Sequence, residues 1–147
     1  MKIAIGNDHS AVEMKNQISE YIRSLGHEVV NFGTDSLEST DYPIYAEKVA
    51  TAVVSGECDR GVLICGTGIG ISIAANKVRG VRCAHCTESS SAKLSRQHNN
   101  ANIVAFGART IGQVVAESIV EAFLTTEFDG GRHARRIGMI SDIEQRQ

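Results

Sequence analysis

Residues 61–70 read Gly61-Val62-Leu63-Ile64-Cys65-Gly66-Thr67-Gly68-Ile69-Gly70. An apolar run of strand length passes straight into glycines at every second position. A strand with no polar face belongs in a parallel sheet covered on both sides. Glycines after such a strand let the chain turn sharply into a helix, whose N-terminal N–H groups and dipole then face the turn. This stretch alone predicts an α/β fold with an anion-facing loop at the carboxyl end of a buried strand.

The flanking chain repeats the pattern. Ile3-Ala4-Ile5 is a first strand closed by Gly6. Ala11, Met14, Ile18, Tyr21, Ile22 and Leu25 then recur at helical spacing as far as Gly26. Val29-Val30-Asn31-Phe32 is a second strand. A polar loop runs from Gly33 to Asp41, which is placed to cap a helix carrying Ala46, Val49, Ala50, Val53 and Val54 on one stripe. The helix after the glycine loop runs to Lys77, Val81-Arg82-Cys83-Ala84 is a fourth strand, 87–97 is a helix, and 101–106 is a fifth strand. Ile111, Val114, Val115, Ile119, Ala122 and Phe123 mark the most regular helix, ended by Asp129-Gly130-Gly131, and the polar tail is a last helix. Strands alternating with helices imply parallel pairing through right-handed crossovers. The expected architecture is a single Rossmann-like three-layer α/β/α domain over residues 1–147. It has a five-stranded parallel sheet in the order 2-1-3-4-5 and a C-terminal helix over 132–145.

The composition excludes several classes. The 147 residues hold 15 Lys+Arg against 17 Asp+Glu, a net charge of −2, so no basic field exists to grip nucleic acid. Hydrophobic residues make up 42% and charged residues 22%, which is globular rather than disordered. No apolar run is long enough to span a membrane, and the N-terminus carries no signal-peptide core. Four cysteines without an export signal read as free thiols in a reducing cytoplasm.

Ligands of open α/β sheets bind beyond the carboxyl ends of the strands, where the strand order switches. Asn7-Asp8-His9-Ser10 follows the first strand, the glycine loop follows the third, and His98-Asn99-Asn100 precedes the fifth. With strands one and three adjacent, the first two groups face each other, and His9 and His98 flank the pocket. The loop is not a P-loop, because no lysine follows its glycines. It is not a dinucleotide fingerprint, because its third glycine comes one residue early and after the wrong strand. It is not a cysteine-phosphatase loop, because Ile71 stands where an arginine is required. Cys65 beside a helix N-terminus suits a nucleophile or general base, with an inert buried thiol as the plainer reading. Cys83-Ala84-His85-Cys86 is half of a zinc site whose other half is missing, so no metal is expected. Arg132 and Arg136 share one helix face beside His133 and Arg135. Guanidinium forks match phosphate oxygens, although a solvated basic face would look the same. Arg109, after the fifth strand, could join them.

Together these motifs resemble one family, the type B ribose-5-phosphate isomerases, which also contains galactose-6-phosphate and allose-6-phosphate isomerases. The resemblance rests on Asp8-His9, Asp41-Tyr42-Pro43, the run from Ile64 through Gly66-Thr67-Gly68-Ile69-Gly70 to Asn76-Lys77, Ser95-Arg96-Gln97-His98-Asn99, and Gly130-Gly131-Arg132-His133. It implies a Rossmann-like fold and catalysis without metal or other cofactor. It also implies a homodimer or homotetramer with active sites at the subunit interface, the C-terminal helix packing on the partner. Cys65 would be the base that moves a proton between C1 and C2, and His98 with Asp8 would open the furanose ring. The N–H groups from Gly66 through Ile69 to Gly70 would hold the enediolate, with Thr67 and Asn99 on substrate hydroxyls. His9, Arg109, Arg132 and Arg136 would bind phosphate, some of them from the partner.

The implied activity is ribose 5-phosphate/ribulose 5-phosphate isomerisation in the pentose phosphate pathway, with a six-carbon sugar phosphate as the alternative. A non-catalytic phosphosugar- or nucleotide-binding regulatory module is the alternative from another class. Cys65 and His98 speak against it, since binding alone needs no base. Ser10-Ala11-Val12, Asn100 and Cys83 depart from the family's usual residues and bear on sugar selectivity.

Overall fold

The computed structural model describes residues 1–147. Strands and helices alternate as expected: β1 (Lys2–Asn7), α1 (Val12–Ser24), β2 (Glu28–Asn31), α2 (Tyr42–Val54), β3 (Arg60–Cys65), α3 (Ile69–Ala75), β4 (Cys83–His85), α4 (Ser89–Asn99), β5 (Ile103–Gly107), α5 (Gln113–Thr125) and α6 (Arg132–Gln145). A single 3-10 turn, His9–Ala11, precedes α1, and the Asp8 side chain caps it.

All strand pairs are parallel, and the order is β2-β1-β3-β5-β4. The expected order placed the last two strands the other way round. Burial explains the difference. Every residue of β5 is buried, whereas β4 is three residues long and half exposed. The apolar strand takes the interior place beside β3, and the short one becomes the edge. Gly61 pairs with Ile103 and Cys65 with Gly107, so the carboxyl end of β5 lies directly beside Cys65.

The sheet is covered on both faces. Ile3, Ile5, Val62, Ile64, Val104 and Phe106 point to one side, against α1, α4 and α5. Ala4, Leu63, Cys65, Ile103 and Ala105 point to the other, against α2 and α3. The switch of face at every residue is the strand's period of two. Each such side chain, fully buried, contributes about 1.5–3 kcal/mol. That double layer is what holds the loops at the sheet's ends in place.

Some local expectations shift. Asp41 stands at the N-cap of α2, but its side chain makes no capping bond, and Val54 is exposed at the end of that helix. The helix α3 stops at Ala75, and β4 begins only at Cys83. Arg82 ahead of it bonds through its N–H to the Asn102 side chain at 2.8 Å. The helix α4 runs two residues further than expected because Asn100 ends it in the left-handed region, at φ 45°. His98 and Asn99 therefore belong to its last turn.

Candidate active site

The residues singled out above fall into two groups at opposite ends of the sheet. At the carboxyl edge, Cys65 ends β3 and is 4% exposed. Its Sγ accepts the Gly68 N–H at 3.2 Å, which fixes the sulfur at the mouth of the glycine loop. Gly68 sits at φ +79°, and a Cβ there would lie 2.6 Å from the carbonyl carbon of Phe106. Only glycine lets the loop turn this close to β5. Gly107 answers from the other side, where a Cβ would lie 2.5 Å from Thr67. The N–H groups of Gly66, Thr67 and Gly70 donate to no other protein group, while that of Ile69 donates to Thr67 Oγ1 at 3.2 Å. The loop thus presents unengaged donors beside a thiol, an arrangement able to hold a developing oxyanion.

Asp8, His9 and Arg109 border the same loop. The Asp8 N–H donates to Ile64 O, and its carboxylate accepts from Ser10 N at 3.0 Å and Ser10 Oγ at 2.5 Å through Oδ1, leaving Oδ2 without a protein partner. His9 Nδ1 accepts the Thr40 N–H at 3.2 Å, so the ring carries its proton on Nε2. The Arg109 N–H donates to Gly66 O at 2.9 Å, which draws its side chain over the loop.

At the amino edge stand His98, Asn99, Arg132 and Arg136. Arg82 Nε donates to Asn99 O at 2.9 Å, Arg82 N–H to Asn102 Oδ1 at 2.8 Å, and Gly61 N–H to Asn102 O at 3.0 Å. These bonds tie the end of α4 to the first residues of β3. From Gly61 to Cys65 the strand rises about 13 Å. Within one chain, therefore, His9 and His98 do not flank a common pocket, and Asp8 does not meet His98. The expectation failed because helices return antiparallel to the strands, which carries the end of α4 to the opposite edge. The His98 and His133 rings stack, with centroids 4.2 Å apart and an interplanar angle of 12°. Desolvation, then the neighbouring imidazole and the Arg132 and Arg136 guanidiniums, holds the His133 ring below its ordinary pKa.

Several contributing residues escaped the sequence reading. His85 Nε2 donates to Thr67 O at 2.9 Å and steadies the glycine loop from β4. The Tyr42 ring lies against Gly70. His133 was visible only as one member of a basic cluster. Arg96, two residues before His98, is buried, its guanidinium hydrogen-bonded only to carbonyl oxygens, and burial draws its pKa down to about 10.

His98, Asp129 and His133 are the one group whose donor atoms could gather around a metal, all within 4.8 Å. Two arginines beside it oppose a cation. Cys83 and Cys86 lie on opposite faces of the sheet and bind nothing jointly. Burial, then the neighbouring thiol in one case and Glu88 in the other, pushes both thiols up, Cys86 to about 11. A cavity of about 780 Å³ lies under α6 beside β4; it borders Asn99 but not Cys65. No helix is long and apolar enough to cross a membrane.

Known proteins resemble this chain along its whole length. The Ribose/Galactose Isomerase family model matches residues 3–140. Ribose-5-phosphate isomerase B of Escherichia coli is 52% identical over 146 residues, which is 99% of this chain and 98% of that one. D-erythrulose-4-phosphate isomerase of Pectobacterium atrosepticum is 41% identical, covering 100% of this chain and 97% of that one. The solved structure of Clostridium thermocellum ribose-5-phosphate isomerase B superposes with a TM-score of 0.98 at 55% identity, covering 99% of both chains. On the strength of that match, and of the thiol and glycine loop it spans, the chain belongs to the Ribose/Galactose Isomerase family.

Proposed function

We propose that the protein interconverts ribose 5-phosphate and ribulose 5-phosphate, in a homodimer whose sites each draw on both chains. The observation that carries this reading is Cys65 Sγ set 3.2 Å from the Gly68 N–H, beside glycine-loop donors with no other partner. An aldose–ketose isomerase needs a base and an oxyanion hole, and this corner of the fold offers both.

The two-edge arrangement supports the dimer. Each chain holds Cys65, Thr67, Asp8, His9 and Arg109 at one edge and His98, Asn99, Arg132 and Arg136 at the other. A two-fold axis lets one edge of each chain meet the other edge of its partner, and makes two equal sites. Exposed apolar side chains at both edges suit such a contact: Ile69 and Ile73 on α3, and Met139, Ile140 and Ile143 on α6. The helix α6 then packs on the partner. A tetramer would be a pair of such dimers. The compartment we assign is the cytoplasm, where a working thiol stays reduced.

In the proposed mechanism, His98 of one chain takes the proton of the anomeric hydroxyl and gives one to the ring oxygen, with Asp8 Oδ2 of the other chain orienting the imidazole. The open aldose then loses its C2 proton to the Cys65 thiolate. The electron pair moves into a C1–C2 enediolate held by the N–H groups of Gly66, Thr67 and Gly70. Protonation at C1 and transfer of a proton between the two oxygens complete the ketose. Thr67 and Asn99 contact sugar hydroxyls. Arg109, His9, Arg132 and Arg136 hold the phosphate, whose binding energy positions the reacting carbons. No metal takes part.

The identity to ribose-5-phosphate isomerases, 52% and 55%, exceeds that to the four-carbon-sugar relative, 41%, and favours the five-carbon substrate. One preparation assayed on ribose 5-phosphate, allose 6-phosphate and galactose 6-phosphate tests the choice. The expected result is the highest kcat/KM on ribose 5-phosphate. A higher value on either six-carbon sugar would overturn it, and binding without turnover of any would favour a regulatory module.

A further inference from the structure

Arg96 is 5% exposed and pairs with no carboxylate. Its Nη1 donates to Asn100 Oδ1 at 2.9 Å and to Ala101 O at 2.5 Å, and its Nε donates to Thr126 O at 3.2 Å. The cation also lies over the Phe123 ring, 5.9 Å from its centroid, with Arg60 on the same ring at 5.6 Å. Burying a guanidinium without a counter-ion is costly. What it offers in return is a rigid fork of donors that can fix several acceptors at once, which no apolar side chain can do.

The acceptors belong to three segments: the cap of α4, the lead into β5, and the start of the 126–131 stretch. The first carries His98 and Asn99. The third delivers His133, and its Asp129 N–H donates to Gln97 O at 3.1 Å. Arg96 provides the side-chain hydrogen bond that joins α4 to this stretch. The stacking of His98 on His133 therefore depends on a junction that Arg96 ties from inside the protein.

We propose that Arg96 is a positioning residue for sugar ring opening, locking the last turn of α4 to the 126–131 stretch so that His98 is presented in a single orientation. This rests on the reading of His98 as the ring-opening acid–base. The effect acts through geometry: a displacement of about 1 Å costs as much as a hundredfold in rate.

The test compares wild type, Arg96→Lys, His98→Asn and the double variant. Two rates are read: turnover of ribose 5-phosphate, which needs ring opening, and deuterium uptake from solvent into acyclic ribulose 5-phosphate, which does not. Arg96→Lys keeps the charge and loses the fork. It is expected to lower ribose 5-phosphate turnover about 10- to 100-fold and deuterium uptake by no more than about threefold. In the His98→Asn background it is expected to add nothing.

Losses that multiply in the double variant would overturn the inference. So would a selective His98→Asn loss beside an Arg96→Lys loss that is equal in both rates. A His98→Asn variant that loses both rates equally counts against the ring-opening reading alone, and the double variant still judges Arg96. Asn100→Gly keeps the left-handed backbone and deletes one Arg96 acceptor, so the same comparison stands if Arg96→Lys does not fold. It is expected to show a smaller loss that vanishes on His98→Asn, and a loss persisting there would overturn the proposal.

Discussion

Cys65 closes β3 at the carboxyl edge of the sheet, and His98 sits on the last turn of α4 at the amino edge, with the length of β3 between them. If both act on one sugar, they act from different chains.

The thiol is tested first. We predict that Cys65→Ala lowers kcat by about 10²–10⁴, the range for a lost general base. The protein should fold, since the side chain removed is small and packs at a strand end. Bound ribose 5-phosphate should slow alkylation of Cys65 in the wild type and leave Cys58, Cys83 and Cys86 unaffected. A folded alanine variant with wild-type turnover would remove Cys65 from the mechanism.

Ring opening is separable from proton transfer. His98→Asn is expected to lose most turnover of furanose ribose 5-phosphate and to retain much of the deuterium exchange into ribulose 5-phosphate. An imidazole of reference pKa about 6.5 can both donate and accept near neutral pH, which suits opening a ring. Equal losses in the two measurements would place His98 in the proton-transfer step.

How much of this was legible in the sequence depended on the range of the interaction. Apolar runs marked the strands and apolar periodicity marked α1, α2 and α5, because burial is written into consecutive residues; α4 and the polar α6 carried no such stripe. The glycine loop was legible for the same reason: Gly66, Gly68 and Gly70 are a local solution to a local turn. The exchange of β4 and β5 in the sheet was not, because strand order depends on which strand buries more, a comparison across 20 residues of chain. The pocket suffered likewise. His98 stood next to β5 in sequence and was assigned to the wrong edge, since position along the chain does not say which end of the strand a helix returns to. His85 on Thr67 and His133 on His98 are tertiary contacts with no signature in spacing.

The loop that orients His9 has its own anchor. The Lys15 ammonium, 2% exposed, pairs with the Asp35 carboxylate, which is 74% exposed. Hydrogen bonding from Lys15, then its charge, holds the Asp35 carboxyl below its usual pKa. A depressed folded-state pKa adds stability above the unfolded value, and that stability is lost as pH falls through the folded value. Asp35→Asn leaves a buried ammonium with a weaker partner, but water screens the exposed carboxylate, so the cost at neutral pH should be no more than about 1 kcal/mol. Thermal midpoints of variant and wild type, followed downward in pH, should converge below the carboxylate range. A gap that stays constant to pH 2 would show the pair to be inert.

Metal independence can be checked directly. Dialysis against a strong chelator should change neither activity nor thermal midpoint. Stoichiometric zinc in the purified protein, with activity lost on its removal and the loss reproduced by Asp129→Asn, would show that the His98, Asp129 and His133 group holds a working ion.

The shared site is tested most directly by mixing two dead chains. Cys65→Ala and His98→Asn are each expected to lose most ribose 5-phosphate turnover in both sites of their own dimer. A mixed dimer places intact Cys65 from one chain with intact His98 from the other in one of its two sites. Random pairing at equal amounts makes half of the dimers mixed, so turnover should rise to about a quarter of wild type. Co-expressed chains whose turnover stays at the level of either variant alone, with mixed dimers shown to be present, would contradict a site built from both.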